Sequence, residues 1–290
     1  MAEALGHKWG QIIGEVLERS IKESLAVLAA EHDLFLDEKG TRAARKTKRL
    51  SWTDRYGNSH DLDYVLEREG TPNRIGEPVA FIEMAWRRYT KHSKNKAQEI
   101  EGALIPLRDT YSAHGPFLGA ILAGVFTASA IAQLKSRGFA VLWIDYDTII
   151  AAFKTVGIDA AFDEKTTEAE FRRKLDVWSK LGTESRASVG TALLARAKRE
   201  LKIFLSELED RITRKVTSVR IWALHGDARD VKSIVDAIQF VTKYADAAGT
   251  ETKVDRYEIQ VNYSSGDRIE GVFRKKADAV RFLQRLEREA

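Results

Sequence analysis

The stretch Val79-Ala80-Phe81-Ile82-Glu83-Met84-Ala85-Trp86-Arg87-Arg88 is an apolar run that reaches a carboxylate and then turns abruptly basic. Its length, and the loop Gly70 to Pro78 before it, mark it as a buried strand. Upstream, His60-Asp61-Leu62-Asp63-Tyr64-Val65-Leu66 is a second strand-like run with acids of its own. Neighbouring strands lie about 4.8 Å apart, so Asp63 and Glu83 can come within reach of one metal ion. Asp61 would share a face with Asp63, because side chains alternate along a strand, and is the reserve candidate. Mg²⁺ takes oxygen ligands, usually one or two carboxylates completed by water and substrate phosphate. A plain pair of surface acids is the alternative, and the cationic stretch that follows Glu83 argues against it.

That stretch holds Arg87, Arg88, Lys91, Lys94 and Lys96, with no acid from Ala85 to Lys96. A second basic run is Arg42, Arg45, Lys46, Lys48 and Arg49. The net charge is only +4, so it is these local patches, rather than the field of the whole chain, that suit a polyanion. His92 lies in the first patch and could touch phosphate. Zero cysteines exclude disulfides and thiolate metal sites and fit a reducing, cytoplasmic setting. The first residues lack the apolar core of a signal peptide. The stretch Phe117 to Ala132 is interrupted by Gly119, Gly124, Thr127 and Ser129, so no membrane span is expected. There is no phosphate-binding glycine loop, dinucleotide fingerprint or histidine pair at zinc spacing.

Around these runs the spacing predicts an opening helix over Gly10 to Ala30. A hairpin follows, from Lys48–Asp54 to His60–Glu67, turning at Gly57-Asn58. Beyond the Glu83 strand come a helix from Asn95 to Tyr111, a buried strand from Leu118 to Phe126, and a helix from Ala128 to Ser136. A strand from Phe139 to Ile144 and a helix from Asp145 complete this part, with Asp145 as the helix N-cap. The alternation predicts an α/β core over residues 1–160. Two charged helical stretches form an extension over 161–215. A small α+β region over 216–290 has a strand, a helix over Asp227 to Ala245, a hairpin at Ser264–Asp267 and a closing helix.

With an acid before one strand, an acid-x-position on the next, and helix-strand-helix-strand after it, the first half of the chain resembles the PD-(D/E)xK nuclease superfamily. The closest likeness is to its restriction-endonuclease-like members. The resemblance implies a mixed sheet flanked by helices, Mg²⁺ held by Asp63 and Glu83, and hydrolysis of double-stranded DNA, with a restriction endonuclease acting as a homodimer as the favoured form. A repair or recombination nuclease and a catalytically inactive DNA binder are the alternatives. The sequence departs from the family at Ala85, where the resemblance calls for lysine. Arg87, Lys94 or Lys96 could supply a migrated cation, the lysine could have been replaced, or the chain could bind without cutting. Lys96 and Glu99 share a helix face and complete the expected catalytic set of Asp63, Glu83, Arg87, Lys96 and Glu99. Arg45, Lys48, Arg88, Lys91, His92 and Lys94 are the expected DNA contacts, and His60 could support the acid strand.

Overall fold

A computed structural model describes residues 2–90, 93–224, 227–244 and 254–289. Lys91 and His92 lie outside the described residues. The chain divides into two units, one of residues 1–110 and 117–209, the other of 111–116 and 210–290. The helical stretch expected as a separate extension over 161–215 is therefore part of the first unit as far as Glu209.

The first unit opens with α1 (Ala2–Glu31). Trp9, Ile13, Leu17, Ile21, Leu25 and Leu28 recur every three or four residues on it and are all buried, so one stripe of the helix faces the core. Asp33 takes a left-handed backbone conformation (φ 53°) and turns the chain into β1 (Leu34–Glu38). β4 (Tyr64–Arg68) and β5 (Glu77–Arg87) follow, after a separate two-stranded hairpin of β2 (Ser51–Thr53) and β3 (Ser59–Asp61). Then come α2 (Ser93–Thr110), β6 (Phe117–Gly124), α3 (Ala128–Ser136), β7 (Ala140–Asp145) and α4 (Tyr146–Lys154). The five-stranded sheet has the order β1-β4-β5-β6-β7. Its first two pairings are antiparallel and its last two parallel. α2 and α3 are the crossovers that parallel pairing requires, and they pack on each other. α4 packs on β6 and β7. α5 (Glu168–Lys180) and α6 (Thr183–Arg196) pack on α1, and α7 (Lys198–Ile212) ends the unit. The expected class, an α/β fold with a mixed sheet flanked by helices, is what forms.

β6 is buried at every residue, as expected of a parallel strand covered on both faces. It ends at Gly124, whose φ of +88° only glycine adopts without strain. A Cβ there would lie 2.2 Å from the Arg87 carbonyl oxygen. The close approach brings the ends of β5 and β6 together where the chain turns basic. Pro78 enters β5 opposite a register shift between Leu66 and Glu67, a place where a residue without an N–H is tolerated. Among the described residues no helix is long and apolar enough to cross a membrane.

Two expectations are corrected in this unit. The run His60 to Glu67 is not one strand. It breaks at Leu62-Asp63, so β3 stays in the small hairpin while β4 joins the main sheet. The basic run over 42–49 is not a uniform cationic surface. Arg42 is buried and forms charge-assisted hydrogen bonds to Asp37 and, in a two-pronged grip, to Glu67 at 2.7 and 2.9 Å. Arg45 donates to Asp37 at 3.0 Å and to the Glu38 carbonyl at 2.6 Å. These two arginines neutralise acids of β1 and β4, which removes Arg45 from the expected DNA contacts. Lys48 remains exposed. Replacing Arg42 leaves the buried Glu67 without a cation and Asp37 with Arg45 alone. Arg42→Met is expected to cost about 3–5 kcal/mol, measured as the shift in the urea unfolding midpoint.

The second unit contains β8 (Val216–Ala223), β9 (Ala228–Val231), α8 (Ile234–Lys243), β10 (Tyr257–Tyr263), β11 (Arg268–Phe273) and α9 (Lys276–Glu289). Its antiparallel sheet has the order β11-β10-β8-β9. α8 and α9 pack together, and Val219, Ile221, Ile259, Val261, Leu283 and Leu286 form its core. The helix expected over Asp227 to Ala245 is shorter. Its first residues form β9, and Ser233 then caps α8 by accepting from the Asp236 N–H. The Arg214 guanidinium ties the segment 111–116 to this unit through the carbonyls of His114 and Gly115.

Candidate active site in the first unit

Asp63 occupies the bend between β3 and β4. The Leu62 N–H donates to the Leu50 carbonyl at 2.8 Å, anchoring the chain just before the bend. Tyr64 is paired with Ile82, so the next step along the ladder brings Asp63 beside Glu83. The Met84 N–H donates to Asp63 Oδ2 at 2.7 Å, and the backbone of Asp63 hydrogen-bonds the Glu83 carboxylate in return. The sheet itself therefore joins the two acids that the sequence singles out.

The electrostatics are those of an undercompensated pair. Glu83 is 8% exposed. Burial first, and then the neighbouring Asp63 charge, push its carboxyl up to about 8. Burial likewise raises Asp63, and Glu18 adds to the rise, while the Met84 N–H works against it. Lys96 is the cation whose charge opposes the rise at both carboxyls. It projects from the first turn of α2 and pairs with Glu99 at 3.2 Å. Of the three cations considered in place of a lysine at position 85, Lys96 alone acts on both acids. Lys94 is exposed, and Arg87 donates to the Trp86 carbonyl at 2.9 Å. Ala85 is buried in β5.

Several other candidates have different roles. Asp61 ends β3, where it is exposed, accepts from the Ser51 hydroxyl and lies 3.5 Å from Arg49. It does not share a strand with Asp63, although its charge still raises Glu83. His60 lies 3.0 Å from the Asp54 carboxylate. That contact, with the N–H groups of Tyr56 and Asn58, holds Asp54 well below the usual carboxylate range. His60 thus pins the turn of the small hairpin. Arg88 donates to the Phe162 carbonyl and lies 4.2 Å over the Tyr146 ring, so part of its donor capacity is spent inside the protein. Asp145 caps α4, accepting from both the N–H and the hydroxyl of Thr148, as expected.

The sequence alone did not single out Glu18 and Lys39. Glu18 projects from α1, Lys39 follows β1, and they pair at 2.7 Å. With Glu15, Glu38, Asp63 and Tyr64 they line a cavity of about 350 Å³. Glu15, Glu18 and Lys39 also line a larger cavity of about 1390 Å³ that reaches Arg87, Arg88 and Tyr89. The signal was weak. Glu15 and Glu18 fall off the apolar stripe of α1, but a helix wheel does not say what its polar face meets. Among the described residues no group of three or more His, Cys, Asp or Glu is placed to hold a metal ion.

No family model matches the chain, and no curated protein matches it. A crystal structure described as that of a protein of unknown function, AF1548, aligns with 67% of this chain and 97% of its own. The sequence identity is 10% and the TM-score 0.27, too low to carry an argument about fold or function.

Proposed function

We propose that this chain is a metal-dependent DNA endonuclease of the PD-(D/E)xK kind, with Asp63 and Glu83 as the ligands of Mg²⁺. The observation that carries this reading is the adjoining acid pair, Asp63 half-buried and Glu83 buried, with the Glu83 carboxyl pushed up to about 8 by burial and then by the Asp63 charge, which further positive charge would offset. A divalent cation supplies that charge, and two carboxylates are a sufficient protein contribution for magnesium. When bound, the ion would lower the pKa of a water and neutralise charge developing on the phosphoryl oxygens.

The protein's own residues do the positioning. The Met84 N–H fixes Asp63 in one orientation. Lys96, steadied by Glu99, carries the positive charge that the methyl group of Ala85 lacks. Arg87, at the wall of the larger cavity, and the exposed Lys48 and Lys94 suit contacts to phosphates, which position the backbone without reading sequence.

Metal-dependent cleavage of plasmid and oligonucleotide DNA tests the reading and separates a catalyst from a binder. A fixed banding pattern from a two-fold homodimer is the signature of the restriction form. Cleavage without fixed bands is that of a repair or recombination nuclease. Lys96→Met is expected to lower kcat on the order of 10²-fold with KM little changed. Adding Ala85→Lys to that variant restores part of the rate if the two positions serve one role. Single-turnover kinetics measure both effects.

A further inference from the structure

Resting on the nuclease reading for its choice of polymer, we propose that the large cavity beside the acid pair takes an unpaired DNA strand, so the substrate is single-stranded or branched DNA and not intact duplex. Four observations carry this. The cavity holds about 1390 Å³, above the roughly 300–1,000 Å³ typical of a site for one small molecule. It therefore suits several linked units of a polymer. It shares Glu15, Glu18 and Lys39 with the smaller cavity that Asp63 lines, so a strand lying in it would lead to the acid pair.

Trp86, Tyr89 and Phe162 line the cavity together with Arg87 and Arg88. Tyr89 is 39% exposed, and Trp86 is stacked on Tyr146 with ring centroids 6.0 Å apart. Interleaved aromatics and guanidinium groups are what a single strand needs, because every base has a face to stack and every phosphate a charge to meet. In a duplex those faces are hidden. Glu15 and Glu18 line the part shared with the smaller cavity, where Lys39 pairs with Glu18, and Asp163 and Glu164 line the cavity beside Phe162.

The helix wall of the groove is low. A Cβ built on Gly14 of α1 meets nothing within 4 Å, although Gly14 lines the cavity. Its φ is not in the left-handed region, so a side chain there would project into the groove without straining the helix.

The test is fluorescence anisotropy of the full chain in EDTA with a labelled single strand of about 16 nucleotides, and with its blunt duplex. The single strand is expected to bind roughly ten-fold tighter than the duplex, and Tyr89→Ala to weaken it roughly ten-fold. Gly14→Leu should weaken it as well, by filling the groove. Equal or tighter binding of the duplex overturns the inference, as does unchanged single-strand affinity in both variants. If duplex is preferred and is still cut with added metal, only the inference falls. If the single strand is preferred but no divalent metal supports cleavage, only the nuclease reading falls. Absence of binding to the single strand overturns the inference, and metal-dependent cleavage then decides the nuclease reading by itself.

Discussion

Asp63→Asn is expected to reduce metal-dependent DNA cleavage on the order of 10³-fold, about 4 kcal/mol of barrier, while the protein stays folded. The substitution is chosen for its geometry. An asparagine oxygen still accepts from the Met84 N–H, which now donates to Asp63 Oδ2 at 2.7 Å. The bend between β3 and β4 keeps its anchor, and only the charge is lost. Single-turnover cleavage with saturating Mg²⁺ or Mn²⁺ measures the effect, and circular dichroism verifies the fold. A rate within a few-fold of wild type would remove Asp63 from the chemistry. Asp61→Asn serves as the control. Asp61 lies in the small hairpin, exposed and held by Ser51 and Arg49, so its loss should leave cleavage nearly unchanged.

The second large effect is on stability and needs no substrate. In metal-free buffer the protein should lose stability as pH rises from about 4.5 to about 8, the range between the ordinary glutamate value and that of native Glu83. Native Glu83 keeps its proton through this range while the unfolded chain releases it. The native state therefore binds more protons, and unfolding becomes easier as pH rises. At about 1.4 kcal/mol per pKa unit the loss is up to roughly 4 kcal/mol. Asp63 is raised in the same direction by burial, so the two protons leave as a coupled pair and the slope belongs to both. Glu83→Gln should flatten most of it. Divalent cation should oppose it, raising Tm more at pH 8 than at pH 5, because ligands stabilise the state they bind. Urea titrations across the pH range, with and without metal, give all three results. A slope unchanged by Glu83→Gln would assign the pH dependence to other groups.

These two acids were legible in the sequence because strand pairing makes local pattern into a spatial fact. An apolar run that admits one carboxylate at Glu83, and a second run that admits Asp63, can be read without knowing the fold. The parallel half of the sheet was legible for a similar reason. β6 is apolar throughout, and α2 and α3 show helical spacing on either side of it. β1 was not legible. Leu34–Glu38 is a short strand that follows a long helix almost at once, and it pairs with β4, a partner distant in sequence. Its absence from the sequence reading also concealed what Arg42 and Arg45 do. A row of basic residues looks like a polyanion patch until the acids it neutralises are known, and Asp37 lies on β1 while Glu67 lies on β4. The choice of Lys96 among Arg87, Lys94 and Lys96 was likewise beyond sequence. It depends on how α2 turns its first residues toward β5. Glu18 and Lys39 join the site only when α1 and the end of β1 pack beside Asp63.

The electrostatics link these two halves. A protein that sets half-buried Asp63 beside buried Glu83, with Lys96 as partial compensation, accepts a penalty in its metal-free state. Under the proposed function, the same arrangement would give a dication a site short of positive charge. Binding should therefore release protons near neutral pH, since the carboxylates must give them up to become ligands.

The most direct measurement is calorimetric titration of the protein with Mn²⁺ at pH 7 in two buffers of different ionisation enthalpy. The account predicts saturable binding with net proton release, lost in both Asp63→Asn and Glu83→Gln. Absence of saturable binding, or binding that both variants retain unchanged, would contradict it.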